Sequence, residues 1–178
     1  MKDNNHNQIK LPLLDDCTIS VLGLGYVGLP LAIEFSRAKK HCIQSSNINR
    51  RVIGFDINQD RIYKLREKYD DTNEINQKDF EEANTLEFTY NELDIDQASV
   101  FIITVPTPVT QTNHPDLGFL EKVTETVGKS LKRRFEKANK NNNIYQTPVV
   151  IYESTVYPGA TEEVCIPILE KFSNLKLN

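Results

Sequence analysis

Three closely spaced glycines are the residues of this sequence whose type and spacing most clearly indicate chemistry. They lie in the segment VLGLGYVGLPLA as Gly23, Gly25 and Gly28, directly after a β-branched apolar run. In this pattern the first glycine permits a tight turn, and the second lets a diphosphate approach the main chain without a Cβ in the way. The third allows a helix to pack closely on the strand, with its positive end facing the phosphates. The pattern predicts a dinucleotide-binding loop, for which a tight turn without a ligand is the alternative.

A carboxylate and an arginine further along the chain extend this interpretation. Asp56 ends the second predicted strand, where it could accept hydrogen bonds from an adenosine ribose hydroxyl and would repel a 2′-phosphate. We therefore predict NAD rather than NADP, although Arg61, one turn into the next helix, suits either a ribose edge or a phosphate. Asp56 lies further beyond Gly28 than the roughly twenty residues usual for this pattern. We attribute the excess to a polar surface loop over residues 39–51.

Two further turns are expected at the same edge of the sheet. The segments TVPTP (Thr104–Pro108) and YESTVYPG (Tyr152–Gly159) end the fourth and fifth predicted strands. In open α/β sheets, ligands bind outside the carboxyl ends of the strands. Both turns can therefore reach one bound dinucleotide. The chemistry then either lies elsewhere or is supplied by Thr155, Glu153 or Thr107.

The elements that must position these residues alternate along the chain between strand-like and helix-like segments. Continuous apolar strands separated by helices are typical of a parallel sheet with helices on both faces. Right-handed crossovers then give a doubly wound, Rossmann-like α/β fold, for which we predict the strand order 3-2-1-4-5. The predicted strands are Thr18–Gly23, Arg51–Asp56, Leu86–Tyr90, Ser99–Val105 and TPVVIYEST. The predicted helices follow Gly28, cover NQDRIYKLREKY, Asn76–Asn84 and PDLGFLEKVTETVGKSLKRR, and end with Ala160–Phe172, which we expect to be kinked at Pro167.

Composition and charge exclude several classes of protein. The 178 residues are 39% hydrophobic and 26% charged with a net charge of -4, which is ordinary for a soluble globular chain and does not favour nucleic acid as a partner. A basic group over residues 132–137 is interpreted as a solvated helix end. The most apolar segment, Val21–Ile33, is shorter than the roughly 20 residues that span a membrane. Residues 1–16 are polar, and we expect a flexible terminus in a cytoplasmic protein.

The cysteines carry no visible chemistry. Cys17, Cys42 and Cys165 are odd in number and widely spaced, which fits neither a disulfide framework nor a metal site. We therefore expect free thiols. Cys165 lies on a predicted helix, where a packed small side chain is the favoured interpretation over a nucleophile.

Several segments occur together in an order that resembles a known family. VLGLGYVGLPLAIEF, VIGFDIN, FIITVPTP, PDL and VIYESTVYPGATEEVCIPILE resemble the amino-terminal, NAD-binding domain of the UDP-glucose/GDP-mannose dehydrogenase family, over roughly Thr18–Leu169. ITVPTP with YESTVYPG looks most like the branch that oxidises UDP-N-acetylhexosamines, UDP-GlcNAc or UDP-GalNAc, to uronic acids for surface polysaccharides. The resemblance implies a two-step, four-electron oxidation of the sugar C6 hydroxyl to a carboxylate, with two NAD and a covalent thiohemiacetal on a cysteine.

The resemblance also implies roles for individual residues. Cofactor contacts fall on Gly23, Leu24, Gly25, Tyr26, Val27 and Gly28 in the diphosphate loop, on Asp56 and Arg61 at the adenosine ribose, and on Val105, Pro106 and Thr107 in a turn lining the cofactor. Thr155 matches a catalytic threonine that lies near the nicotinamide and helps to position a water. Glu153 matches a feature of the subgroup to which the resemblance assigns no role.

Parts of the family pattern have no counterpart in these residues. In similar proteins the catalytic cysteine lies in a downstream GGxC segment, with a lysine and an asparagine from a central helical segment that also builds a homodimer. The sequence stops at NLKLN, where the sixth strand would begin, so we expect that strand to be truncated and the central helical and UDP-sugar domains to be absent, leaving residues 17–178 as the NAD-binding domain. Two polar insertions, Lys39–Arg50 and Phe135–Gln146, are expected at surface connections.

These departures lead to an expectation about activity. A dehydrogenase needs the hydride donor, the nicotinamide and acid–base groups held together, so we predict no turnover by this chain alone. The alternatives are a stand-alone dinucleotide-binding module that performs no oxidation and, less favoured, a Rossmann dehydrogenase of another type, such as one acting on hydroxyacids.

Overall fold

One five-stranded parallel sheet forms the centre of the structure, which is a computed structural model. It describes residues 11–13, 17–37, 39–40, 47–48, 50–110, 114–141 and 146–176. Most of the expected flexible terminus, residues 1–16, and Cys42 lie outside these described residues. The sheet strands are β1 (Ile19–Leu22), β4 (Val52–Phe55), β5 (Leu86–Thr89), β6 (Val100–Ile103) and β7 (Val149–Tyr152); β2 (Lys39–Lys40) and β3 (Asn47–Ile48) form a separate antiparallel pair.

The order of the sheet is β5-β4-β1-β6-β7, and all neighbouring strands are parallel. Counted along the chain within this sheet, the order is 3-2-1-4-5, so the predicted doubly wound topology is confirmed. The central strand β1 pairs through Ile19 with Val52 on one side and with Val100 on the other. Every residue of β1 and β4 is buried, so neither strand alternates between buried and exposed positions, and Ser20 is the one polar side chain in the two strands. The reversal of winding falls beside β1, at the glycine loop.

Helices cover both faces of the sheet. On one face, α1 (Gly28–Ser36), α2 (Gln59–Arg66) and α3 (Gln77–Glu82) share a core with Ile19, Val21 and Ile102. On the other face, α4 (Gly118–Lys140) and α5 (Ile166–Ser173) pack over Phe101 and Ile103. Successive residues of β6 thus point to opposite cores, as the pleat requires. The predicted stripe on α4 lies in this second core or against it: Leu117, Leu120, Val123, Val127 and Leu131.

Three local expectations were wrong. The predicted loop over residues 39–51 contains the β2–β3 hairpin, with Lys39 paired to Ile48 and residues 41–46 outside the described part. The insertion Phe135–Gln146 is not wholly a surface connection, because α4 continues to Lys140 through residues that include no helix breaker. The last helix is not α-helical throughout: a π-helical turn, Thr161–Cys165, leads directly into α5, and Pro167 lies in the first turn of α5.

The described residues show neither a membrane-spanning helix nor a disulfide. No helix in the described ranges is long and apolar enough to cross a membrane. Cys17 and Cys165 are buried, and neither forms a disulfide with a described residue. Burial raises the pKa of the Cys165 thiol, which therefore behaves as a packed small side chain rather than as a nucleophile.

Candidate cofactor-binding site

The glycine loop joins β1 to α1 at the carboxyl edge of the sheet. Gly23 has a φ of +98°, in the left-handed region that favours glycine, so the turn itself requires this residue. At Gly28, a Cβ would overlap the carbonyl oxygen of Gly23 and the hydroxyl of Thr104. The first and third glycines therefore serve the fold of the loop, one through its backbone conformation and the other through close packing.

Gly25 differs from these two because nothing in the described protein fills the space beside it. A Cβ built on Gly25 has no other described heavy atom within 4 Å. The following helix, α1, has Val27 as its N-cap with no side-chain cap and carries no acidic residue in its first turn. No side chain of the helix's own first turn therefore neutralises its positive end. Open main chain next to an uncapped helix start is an arrangement that suits an anionic group.

Asp56 lies beside this loop at the end of β4. One carboxylate oxygen accepts a hydrogen bond from the Leu24 N–H at 2.8 Å, and the other accepts one from the Asn58 N–H at 2.9 Å. Each oxygen of a carboxylate has a second lone pair, so both can still accept a hydroxyl donor. Asn58 in turn caps α2 by accepting from the Arg61 N–H, which fixes the start of that helix next to the carboxylate.

A cleft of about 590 Å³ opens beside the loop on the α4 side of the sheet. This volume lies within the range typical of small-molecule sites. Five residues predicted to contact the cofactor line it: Gly23, Gly25, Asp56, Val105 and Pro106. The opposite wall comes from α4, through Phe119, Lys122, Val123, Glu125, Thr126 and Lys129. We did not identify this wall from the sequence, although α4 follows β6 from the same edge, which could have indicated it.

The other predicted loop residues have different surroundings. Leu24 is fully buried and Gly28 is buried beneath the loop. Tyr26 and Val27 are exposed and border a second, more open groove on the α1 side of the sheet, together with Pro30 and Glu153. The loop thus separates two grooves, and Glu153 belongs to the one that Asp56 does not line.

The turns after β6 and β7 are joined to each other. The Thr107 hydroxyl donates to the carbonyl oxygen of Thr155 at 2.5 Å, and the Ser154 hydroxyl donates to that of Val105 at 2.7 Å. The Thr155 residue is exposed. The structure therefore brings Thr107 and Thr155 together, but neither lines the cleft beside Asp56.

Arg61 lies behind the loop rather than in the cleft. Only 7% of the residue is exposed, and its Nε donates to the carbonyl oxygen of Leu24 at 3.1 Å. One terminal nitrogen contacts both Asp70 and Asp71. The sequence analysis missed Asp70, for which the only signal is the local Asp-x-Thr spacing of an Asx turn.

The basic group on α4 is less solvated than expected. Arg133 donates from two nitrogens to the carboxylate of Asp96, both at 2.7 Å, and Arg134 donates to the Asp96 carbonyl oxygen at 2.8 Å. These residues attach α4 to the short 3₁₀ turn Asp94–Gln97, so their charge has a structural role. Among the described residues, no group of histidine, cysteine and acidic side chains is arranged to hold a metal ion.

Comparison with known proteins identifies relatives of this chain. It is 47% identical over 165 residues to a UDP-N-acetyl-D-glucosamine 6-dehydrogenase of Pseudomonas aeruginosa, covering 93% of this chain and 33% of that protein. A protein of the same name from Salmonella typhi is 41% identical over the same shares. Among solved structures, a GDP-mannose dehydrogenase ternary complex from Pseudomonas aeruginosa superimposes with a TM-score of 0.70 at 26% identity, over 89% of this chain and 33% of that one. The chain spans about a third of these relatives.

The match to the family covers nearly the whole chain. The sequence model of the UDP-glucose/GDP-mannose dehydrogenase family, NAD binding domain, matches residues 17–178. That range contains the sheet, both layers of helices and the open loop beside Asp56. The chain therefore belongs to the UDP-glucose/GDP-mannose dehydrogenase family, as an NAD-binding domain.

Proposed function

We propose that this domain binds NAD with the diphosphate on the glycine loop and the adenosine ribose on Asp56. The observation that carries the proposal is the unfilled space beside Gly25, next to a carboxylate whose two oxygens can each accept one more hydrogen bond. The adenosine half then lies in the cleft against α4, and the main-chain amides at Gly25 and at the start of α1 receive the diphosphate. Residues 17–178 act as one cofactor-binding domain preceded by a separate segment, residues 1–16.

The nicotinamide half extends toward the turns that follow β6 and β7. Val105, Pro106 and Thr107 border its path, and Tyr26 and Val27 form the outer side of the loop that it crosses. Thr155 is the catalytic position in this arrangement, because its exposed side chain lies beside the turn that Thr107 ties to it. There it helps to position a catalytic water.

The complete protein is a UDP-sugar 6-dehydrogenase that oxidises the C6 alcohol of a UDP-N-acetylhexosamine to a uronic acid for surface polysaccharide synthesis. The identity of 47% to a protein of that activity class supports this substrate class. Its partners are the UDP-sugar and a second subunit of a homodimer, and its location is the cytoplasm, where NAD is available. The cysteine, lysine and asparagine of the family pattern have no match in this sequence, so the 178 residues alone do not turn over.

Calorimetric titration tests cofactor binding. We expect the chain to bind NAD and to bind NADP at least about tenfold more weakly, because Asp56 repels a 2′-phosphate. Asp56→Asn should weaken NAD binding and narrow the difference between the affinities for NAD and NADP. Asp60→Asn is the matched control, since Asp60 is an exposed acid one turn away that does not line the cleft. A folded chain that ignores millimolar NAD contradicts the proposal.

A chimera tests the substrate class. We would replace the corresponding third of the Pseudomonas aeruginosa relative with residues 17–178 and follow NADH formation. Oxidation of UDP-N-acetylhexosamines in preference to UDP-glucose, with two NADH per sugar, is the expected result. A chimera that binds NAD but oxidises no nucleotide sugar would favour a stand-alone dinucleotide-binding module, and turnover by the 178-residue chain without any partner would contradict its predicted incompleteness.

A further inference from the structure

Glu153 lines a groove on the opposite side of the glycine loop from Asp56. The groove has a volume of about 560 Å³, and apolar side chains of α1, β6 and β7 form its walls. The exposed side chains of Tyr26 and Val27 border it at the loop. We call this space the α1-side groove. It is therefore an apolar space that carries a carboxylate where β7 ends.

The carboxylate of Glu153 is available to a ligand. Within the described ranges it forms neither a hydrogen bond nor an ion pair, and the residue is exposed. Glu34, the other acidic residue that lines the groove, differs because it forms an ion pair with Arg37. Each carboxylate oxygen has two lone pairs, so Glu153 can accept N–H or O–H donors. The unbalanced negative charge of the groove therefore lies on Glu153.

The strand order places Asp56 and Glu153 on opposite sides of β1. Asp56 follows β4, which pairs with β1 on one side, and Glu153 follows β7, which lies beyond β6 on the other. In the proposed complex the diphosphate lies on the loop after β1, and the adenosine lies on the Asp56 side. The nicotinamide riboside therefore extends to the side of Glu153, where Tyr26 and Val27 present an apolar surface to a flat ring.

The two oxidation states of the cofactor differ in charge at this end. The nicotinamide ring of NAD carries one positive charge and the ring of NADH is neutral, whereas both carry the same carboxamide. A carboxylate beside the ring therefore attracts NAD more strongly than NADH. The apolar walls of the groove reduce the screening of that attraction by water. The amide nitrogen of the carboxamide supplies a hydrogen-bond donor to the carboxylate in either state.

We propose that the nicotinamide end of the cofactor occupies the α1-side groove and that Glu153 makes the domain prefer NAD over NADH. The inference rests on the NAD binding proposed above, and it assigns a role to a residue outside the cleft beside Asp56. Glu153 is a specificity-determining residue, which acts through its charge and through the hydrogen bond that it accepts from the carboxamide. In an oxidation that uses two NAD per sugar, this preference promotes the exchange of bound NADH for NAD.

Three ligands that share the adenosine diphosphate portion test the proposal. We would titrate the 178-residue chain calorimetrically with NAD, with NADH and with ADP-ribose, which lacks the nicotinamide. Glu153→Gln keeps the size of the side chain and a carbonyl acceptor but removes the charge. It should weaken NAD binding by about fivefold, change NADH binding by less than about twofold and leave ADP-ribose binding unchanged. The loss of NAD affinity should shrink at about 1 M salt, because ions screen charges at an exposed site.

Glu34→Gln is the matched control. It removes an acidic charge from the same groove, but one that Arg37 already balances, so all three affinities should stay unchanged. Thermal unfolding of both variants checks that neither substitution alters the stability of the fold.

The outcomes separate this inference from the proposed function. If Glu153→Gln weakens NAD and NADH equally, or weakens ADP-ribose as well, Glu153 does not act through the charge of the ring and the inference is wrong. Unchanged NAD affinity in Glu153→Gln also overturns it, because the nicotinamide then lies outside the α1-side groove, while NAD binding itself stands. If the unsubstituted chain binds neither NAD nor ADP-ribose, the proposed function fails and this inference fails with it.

Discussion

At the ends of β1 and β4, the chain is held by groups of opposite charge, the half-buried Asp56 and the buried Arg61, whereas at the ends of β6 and β7 it is held by hydroxyl groups. In the first region, Asp56 and Arg61 fix the two backbone polar groups of Leu24. In the second, the Thr107 and Ser154 side chains each donate one hydrogen bond to a carbonyl oxygen of the neighbouring turn. Thr155 itself is exposed, while Leu24 is fully buried.

The difference indicates which half of the cofactor site is rigid before any ligand binds. A charged, hydrogen-bonded network away from water keeps one geometry, because breaking any member leaves an unpaired buried group. Neutral hydrogen bonds at an exposed turn contribute less and exchange readily with water. In the proposed NAD complex, the region for the diphosphate and adenosine is therefore preset within this domain, and the region for the nicotinamide is held lightly.

Among the variants that test this comparison, Gly28→Ala has the largest expected effect. The new Cβ overlaps the Gly23 carbonyl oxygen and the Thr104 hydroxyl, so the loop or the helix must shift. We expect the free energy of unfolding to fall by about 3 kcal/mol and NAD binding to be lost. Urea unfolding with a parallel NAD titration measures both. A stable Gly28→Ala chain that binds NAD normally would show that the first region is not rigid.

Asp70→Asn tests the charge network through pH. Burial alone would raise the pKa of Asp70, but the hydrogen bonds from Thr72 and Arg61 outweigh it and lower the pKa to about 2 in the folded chain. Its contribution is therefore present above the ordinary value of 3.8 and is lost as pH falls toward 2. We expect a loss of about 2 kcal/mol at pH 7 and a smaller loss at pH 3. Denaturant unfolding at the two pH values measures it, with Asp60→Asn as the exposed control. An equal loss at both values would mean that the charge of Asp70 is not what stabilises the turn.

Gly25→Ala separates binding from folding in the same loop. The backbone at Gly25 is not in the left-handed region and the space beside it is open, so stability should change by less than about 0.5 kcal/mol. The methyl group would lie where the diphosphate approaches, and we expect NAD affinity to fall by about tenfold or more. Calorimetry with a thermal unfolding control checks this. Unchanged NAD affinity would mean that the diphosphate does not bind on this side of the loop.

The smallest effect is expected in the second region. Ser154→Ala removes the hydrogen bond to the Val105 carbonyl oxygen, and Thr107→Val removes the one to Thr155. Each should lower the free energy of unfolding by no more than about 1 kcal/mol and change NAD affinity by less than about threefold. Urea unfolding measures the first quantity and NAD titration the second. Losses as large as those at Gly28 would contradict the contrast between the two regions.

Most of the framework of the fold could be predicted from the sequence. The strand order follows from apolar runs that alternate with helices, since right-handed crossovers leave few other arrangements. The boundaries of the helices and strands, and the structure of the two insertions, were harder to predict. The β2–β3 hairpin arises in a polar, non-periodic stretch, and α4 extends to Lys140 through a polar segment that was predicted to be a surface connection.

The candidate site could be predicted from the sequence to about the same extent as the fold. Gly23, Gly25 and Asp56 lie together as their spacing in the sequence suggested, because parallel strands bring their carboxyl ends to one edge. Arg61 shows where such reasoning stops. Its position in α2 follows from the sequence, but a long side chain at that position reaches either the cleft or the back of the loop.

By itself, the sequence of this protein determined the doubly wound sheet and the place of the loop, because hydrophobic periodicity and glycine spacing are local properties with few structural solutions. Only the tertiary structure decided that the Arg61 guanidinium turns away from the cleft toward Asp70 and Leu24. The physical reason is that a buried charge must find its partners in three dimensions, and those partners come from a turn and a strand end that no local pattern connects.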